Sequence, residues 1–123
     1  MRTVLIVDDE YAMRKKYKKV LKAVGIDVLE AADAIEVADA LMRDRSRIDL
    51  IVLDIQIPEI DGRDIFDVIN EYTPNLDIII SSVIPVKDQK LRIPRAVDYF
   101  NKADSDATFL NKVRNALGVV EVK

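Results

Sequence analysis

The chain has 123 residues, half of them apolar and a third charged, with a formal net charge of -3. That balance fits one soluble globular domain over residues 1–123 and argues against direct nucleic-acid binding. Cysteine and histidine are both absent, which excludes thiolate chemistry, serine–histidine triads and phosphohistidine, and leaves only oxygen ligands for a metal.

The N-terminus leads straight into the run Thr3–Val7, which reads as a first strand and ends on Asp8 and Asp9. Met13, Tyr17, Val20, Leu21 and Val24 then recur at helical spacing up to Gly25, a helix stop. This helix also carries Arg14, Lys15, Lys16, Lys18, Lys19 and Lys22. Residues 15, 18, 19 and 22 share one face, either a solvated surface or a docking site for an acidic partner. Asp27–Ala31 is the second strand, and Ile35, Ala38, Leu41 and Met42 mark the second helix. Leu50–Leu53 is the third strand, followed at once by Asp54. Ile65, Phe66, Ile69 and Tyr72 mark a third helix between Gly62 and Pro74. Ile78–Ser82 is the fourth strand, ending in two hydroxyls, Ser81 and Ser82. Pro85 and Pro94 leave room for about two helical turns around Val86–Ile93, since proline disrupts helix interiors. Asp98–Phe100 is the fifth strand, with Lys102 just beyond it. Phe109, Leu110, Val113 and Leu117 mark a last helix ended by Gly118. No apolar run reaches the ~20 residues of a membrane span and no signal-peptide pattern is present, so a cytoplasmic protein without membrane insertion is expected.

Strands alternating with helices predict an α/β fold with a five-stranded parallel doubly wound sheet. The expected order is flavodoxin-like, 2-1-3-4-5, with a shortened fourth helix. Strands one and three are then neighbours at the switch point, where ligands bind beyond the carboxyl ends of the strands. Asp8, Asp9 and Asp54 converge there. Three clustered anions require raised pKa values or a cation. Magnesium suits such an open oxygen site, with manganese the alternative. A metal also lets a carboxylate attack a phosphoryl group, and Lys102 supplies a point charge for a phosphate oxygen. Singly, Asp8 or Asp9 reads as a helix cap, Lys102 as a solvated lysine and a serine as a turn residue. Their conjunction at four strand ends favours a site.

Val7-Asp8-Asp9-Glu10, the segment Asp54-Ile55-Gln56-Ile57-Pro58-Glu59-Ile60-Asp61-Gly62, a hydroxyl after strand four, and Lys102 together resemble the receiver domain of two-component response regulators. The resemblance covers essentially the whole chain. It implies a phosphorylation-activated switch rather than an enzyme on external substrates, catalysing only its own phosphorylation and dephosphorylation. Asp54 matches the phosphoryl acceptor, Asp9 the direct magnesium ligand, Asp8 the acid acting through water, and the Gln56 main-chain carbonyl a further ligand. Lys102 matches the phosphate-binding lysine, and Tyr99 the switch aromatic that turns inward. Pro74 and the register of Leu76, Ile78, Ile79 and Ile80 place the switch hydroxyl at Ser82, 28 residues after Asp54; Ser81 is the alternative. The implied partners are a histidine kinase or phosphotransfer protein and, for a stand-alone receiver, a separate output protein. The competing readings are a metal-dependent phosphatase or phosphotransferase with Asp54 as nucleophile, or a scaffold that is never phosphorylated.

Three features depart from the family pattern. Val83 replaces a small residue, which narrows access to the phosphoryl site. Ala103 follows Lys102 where many receivers have proline, often after a cis bond; a non-proline cis bond costs ~2.5–4 kcal/mol, so either this bond is trans or the site carries strain. The short stretch from Ser82 to Lys102 truncates helix four and alters the family's usual output face of helix four, strand five and helix five.

Overall fold

The computed structural model describes residues 2–57 and 61–119. Thr3–Val7 forms β1, buried along its whole length as its apolar run requires. The chain then alternates through α1 (Tyr11–Lys22), β2 (Asp27–Ala31), α2 (Ala34–Asp44), β3 (Leu50–Asp54), α3 (Gly62–Tyr72), β4 (Asp77–Ser82), α4 (Val86–Arg92), β5 (Asp98–Asn101) and α5 (Asp106–Leu117). The strands form one parallel sheet in the order β2-β1-β3-β4-β5, as predicted.

Alternate side chains of each central strand enter two separate cores, which is why these strands are apolar at every position. Val4, Ile6, Leu50, Val52, Ile79 and Phe100 pack against α1 and α5, with Tyr17, Phe100 and Phe109 in mutual aromatic contact. Leu5, Val7, Ile51, Leu53, Ile78 and Ile80 face α2 and α3 on the other side.

Local chemistry sets the helix ends. Asp33, Asp61 and Ser105 each cap a helix by accepting a backbone N–H. Gly25 and Gly118 stand at φ +81° and +70°, the left-handed turn that closes α1 and α5 without a Cβ penalty. Pro85 and Pro94 hold α4 to seven residues. No cis peptide bond occurs among the described residues, so Lys102–Ala103 is trans.

One expected face is wrong. α2 buries Val37, Ala40 and Leu41, whereas Ile35, Ala38 and Met42 point to solvent. Most of α2 is apolar, so spacing alone does not select its face; packing over the sheet does. Tyr72 of α3 and Val24 beyond α1 are likewise exposed. Pro58, Glu59 and Ile60 of the acceptor segment lie outside the described residues.

Candidate functional site

β1 and β3 are hydrogen-bonded neighbours, with Val7 beside Leu53. Asp8, the residue after β1, and Asp54, the last residue of β3, therefore meet at one sheet edge. Both are buried and Asp9 is exposed. One carboxylate oxygen from each of the three lies within 4.8 Å of the others. The Glu10 N–H donates to Asp8 Oδ1 at 2.9 Å, and the Gln56 N–H donates to Asp54 Oδ1 at 2.8 Å.

Lys102 enters the same cluster from β5, its backbone N–H held by the Ser82 carbonyl at 2.9 Å. Its side chain is only 7% exposed, and Nζ lies 2.7 Å from Asp8 Oδ2 and 3.0 Å from Asp54 Oδ2. Burial works against the ammonium, but the carboxylates of Asp8 and Asp54 outweigh it and raise the Lys102 pKa. Asp54 moves the other way from a normal salt-bridged acid. Burial raises its pKa, against the Gln56 N–H and Lys102 that favour the anion. Three acids sharing one cation leave the cluster underneutralised. Asp8 Oδ2, although close to Nζ, is buried without an aligned hydrogen-bond donor. A buried oxygen with an unspent lone pair, beside two further carboxylates, fits a divalent cation with oxygen ligands.

The two serines face opposite ways. Ser81 shares a hydrogen bond with the Tyr17 hydroxyl at 3.3 Å, inside the α1–α5 core. Ser82 Oγ donates to Gln56 Oε1 at 3.1 Å and accepts the Ile84 N–H at 3.2 Å. Ser82 thus touches the residue whose backbone holds Asp54. Tyr99 is buried beneath α4, donates to the Ile93 carbonyl and lies 5.8 Å from Lys90 Nζ; burial raises its pKa.

The sequence model of the response regulator receiver domain matches residues 4–114. This chain belongs to that family. The receiver is 30% identical over 122 residues to a "probable transcriptional regulator ycf27" of Porphyridium aerugineum, covering 96% of this chain and 49% of the relative. It is 32% identical over 77 residues to the sporulation initiation phosphotransferase F of Bacillus subtilis, covering 63% and 60%. The receiver thus spans about half the length of the first relative and under two thirds of the second. Among solved structures, a response regulator from Thermotoga maritima superposes with a TM-score of 0.85 at 25% identity, over 96% of this chain and 98% of the other. The response regulator TrrA of the same organism, solved in complex with magnesium and beryllofluoride, gives 0.83 at 25% identity, over 94% and 99%. Members of this family are phosphorylation-controlled signalling switches. No helix among the described residues is long and apolar enough to cross a membrane.

Two parts of this receiver's site carry no obvious sequence signal. Arg14 donates from Nη1 to the Asp8 carbonyl at 2.8 Å and from Nε to Glu30 at 3.2 Å. Glu30 also pairs with Lys15 at 2.7 Å and Lys18 at 3.7 Å. Burial alone would raise the Glu30 pKa, but Lys15 and Arg14 outweigh it and hold it low. Part of the basic face expected on α1 is thereby neutralised within the molecule.

The second part is Gln89, fully buried although it lies in a polar stretch of α4. Its Nε2 donates to the carbonyls of Ile84 at 2.7 Å and Phe100 at 3.0 Å, with Ser82 O at 3.4 Å, while Oε1 has no partner. One amide therefore ties the β4–α4 loop to β5 beside Ser82. Gln89→Leu strands those carbonyls and is expected to lower stability by about 2 kcal/mol, since each buried unpaired polar group costs about 1–3 kcal/mol. Urea denaturation measures this; an unchanged midpoint would show that the amide carries no structural weight.

Proposed function

We propose that Asp54 accepts a phosphoryl group from a histidine kinase or a phosphotransfer protein, and that the resulting phosphoaspartate changes the surface this receiver offers a partner. The observation that carries the reading is the buried Lys102 ammonium between Asp8 and Asp54, with the Asp9 carboxylate beside them. Asp8, Asp9, Asp54 and the Gln56 carbonyl would hold Mg2+, or Mn2+. When bound, the ion supplies charge neutralisation between the carboxylate nucleophile and the phosphoryl oxygens.

The chain's own groups prepare the step. The Gln56 N–H fixes one Asp54 oxygen, leaving the other to attack phosphorus in line. The phosphorus–nitrogen bond of the donor imidazole breaks, the nitrogen keeps its electron pair, and an oxygen–phosphorus bond forms at Asp54. Lys102 then exchanges its contact with Asp54 Oδ2 for a phosphoryl oxygen. Ser82 leaves Gln56 Oε1 to donate to another, and Tyr99 is the aromatic partner of that movement. The phosphoryl group biases an existing equilibrium between surfaces. Lys19 and Lys22, the α1 lysines without an ion-pair partner among the described residues (Lys16 pairs with Asp106 at 3.2 Å), suit an acidic docking surface on the donor. A phosphatase acting on external substrates is less well supported, because Gln56 has no carboxyl proton where that chemistry places its second acid. The test is labelling with a phosphodonor and magnesium in the wild type and in Asp54→Asn; equal labelling would overturn the assignment.

Val83 follows Ser82 and is 62% exposed. In this reading a β-branched side chain directly after Ser82 narrows the approach to Asp54, so Val83→Ala is expected to speed labelling by small phosphodonors severalfold. Autophosphorylation rates with acetyl phosphate decide this, and a variant no faster than wild type would remove Val83 as a gate.

A further inference from the structure

α2 and α3 lie on the same face of the sheet and both run away from the phosphorylation edge. Between them is an apolar groove of about 730 Å³, lined by Leu41 and Met42 of α2 and by Ile65, Val68 and Tyr72 of α3. Its rim is unusually exposed for apolar residues, Met42 at 85% and Tyr72 at 65%. Apolar surface in one contiguous patch marks an interaction site more often than scattered single residues do. We propose that this groove is the centre of a twofold-symmetric dimer of two copies of this chain.

The charges at the two ends of the groove select this occupant. Arg45, the C-cap of α2, lies at one end; Asp61, the N-cap of α3, and Asp64 in its first turn lie at the other. Asp61 is paired within the chain to Arg63, but neither Arg45 nor Asp64 has an ion-pair partner among the described residues. A twofold axis through the middle of the groove, parallel to the sheet and running across the groove, turns the two grooves face to face and reverses their directions. It sets the Arg45 end of each copy over the Asp64 end of the other, with Met42 and Tyr72 inside the contact. An isologous contact requires that self-complementarity, and a groove with one sign of charge at both ends would not have it.

The spacing fits the same arrangement. Residues 34, 37, 38, 41 and 45 of α2, and 61, 65, 68 and 72 of α3, recur three and four apart along the groove, the pattern of packed helices. Two parallel helices from each copy make a four-helix layer. Helices of 11 residues are about 16 Å long, so the paired faces fall near the lower limit of specific interfaces and a micromolar dissociation constant is expected. The contact leaves α4, β5 and α5 free.

Sedimentation equilibrium across about 1–500 μM protein, around that micromolar range, tests the dimer. The wild type is expected to approach twice the monomer mass. Met42→Lys should weaken association at least tenfold, while Leu91→Lys, equally exposed but on α4, should leave it unchanged. Arg45→Asp and Asp64→Arg should each weaken it, and an equimolar mixture of those two variants should recover it, because both cross-pairs are restored. A wild type that stays monomeric throughout, as it would if the groove received another protein's helix, overturns the proposal. So does a dimer insensitive to Met42→Lys, one lost equally on Leu91→Lys, or a mixture with no recovery.

Discussion

Asp54→Asn is expected to abolish phosphorylation and, in the absence of metal, to make the protein more stable. The first effect follows from chemistry: a carboxamide oxygen is a poor nucleophile toward phosphorus, and Ser82 and the other nearby hydroxyls have no adjacent base. Label on the wild type should be released by hydroxylamine, as an acyl phosphate is, and should require magnesium. The variant should retain only background. The second effect follows from the charge count at the sheet edge. Asp8, Asp9 and Asp54 share Lys102, and burial raises the Asp54 pKa, so ionised Asp54 is held at a net cost. Neutralising it should gain about 1 kcal/mol, the ordinary scale of a point substitution. A carboxyl whose folded pKa is raised binds its proton more tightly when folded, so stability from this group is present below its unfolded pKa and is lost as pH rises through the folded one. The gain in Asp54→Asn should therefore be full above the raised folded pKa of Asp54, shrink as pH falls through it, and vanish below the unfolded aspartate value of about 4. Urea unfolding in EDTA measures the gain, and a destabilised variant would show that Lys102 and Gln56 already compensate Asp54 fully. Loss of labelling together with a gain in stability separates a missing nucleophile from a misfolded protein.

The parts of this site that were legible beforehand are those written as contrast along the chain. Leu50-Ile51-Val52-Leu53 followed by Asp54, or Val4–Val7 followed by Asp8 and Asp9, put a charge where burial ends, and strand order brings such points together. The register after Pro74 favoured Ser82 over Ser81 as the hydroxyl of the site; the two side chains alternate across the sheet, Ser81 turning to Tyr17 and Ser82 to Gln56. Gln89 was not legible. Its surroundings, Val86-Lys87-Asp88-Gln89-Lys90-Leu91-Arg92, read as an exposed polar helix, and its burial arises only because α4 is short and lies across the ends of β4 and β5. The α1 lysines were legible as a basic face, but their neutralisation by Glu30 depends on β2 packing beside α1. The exposed face of α2 was misread for the same reason: a helix apolar on several sides takes its orientation from the layer beneath it.

Lys102→Met is expected to cost both stability and phosphotransfer, with the response to magnesium separating the two. The side chain is nearly enclosed and is the ammonium between Asp8 and Asp54. Removing one partner of a buried ion pair costs about 3–5 kcal/mol, because the remaining charge is left uncompensated in a poorly solvated place. The wild-type contribution is stable across neutral pH: the Lys102 pKa is raised on folding, so its stabilisation is fully present below the unfolded lysine value and is lost only as pH rises through the folded one. The variant removes that term and leaves the carboxylates to repel each other. Its deficit should be largest in EDTA near neutral pH and should narrow as acid neutralises Asp54, whose pKa burial already raises. Magnesium should narrow it too, since a divalent cation at Asp8, Asp9 and Asp54 replaces the lost charge. The stability gained per decade of magnesium should therefore exceed that of the wild type. Phosphotransfer should not recover in the same way. Saturating magnesium restores the fold but supplies nothing at the phosphoryl oxygen that Lys102 would contact, and losing one such charged donor slows transfer about 100-fold or more. A variant that regains the wild-type rate once refolded by magnesium would confine Lys102 to a structural role. One that is as stable as wild type in EDTA would mean that the buried carboxylates are compensated by their backbone donors alone.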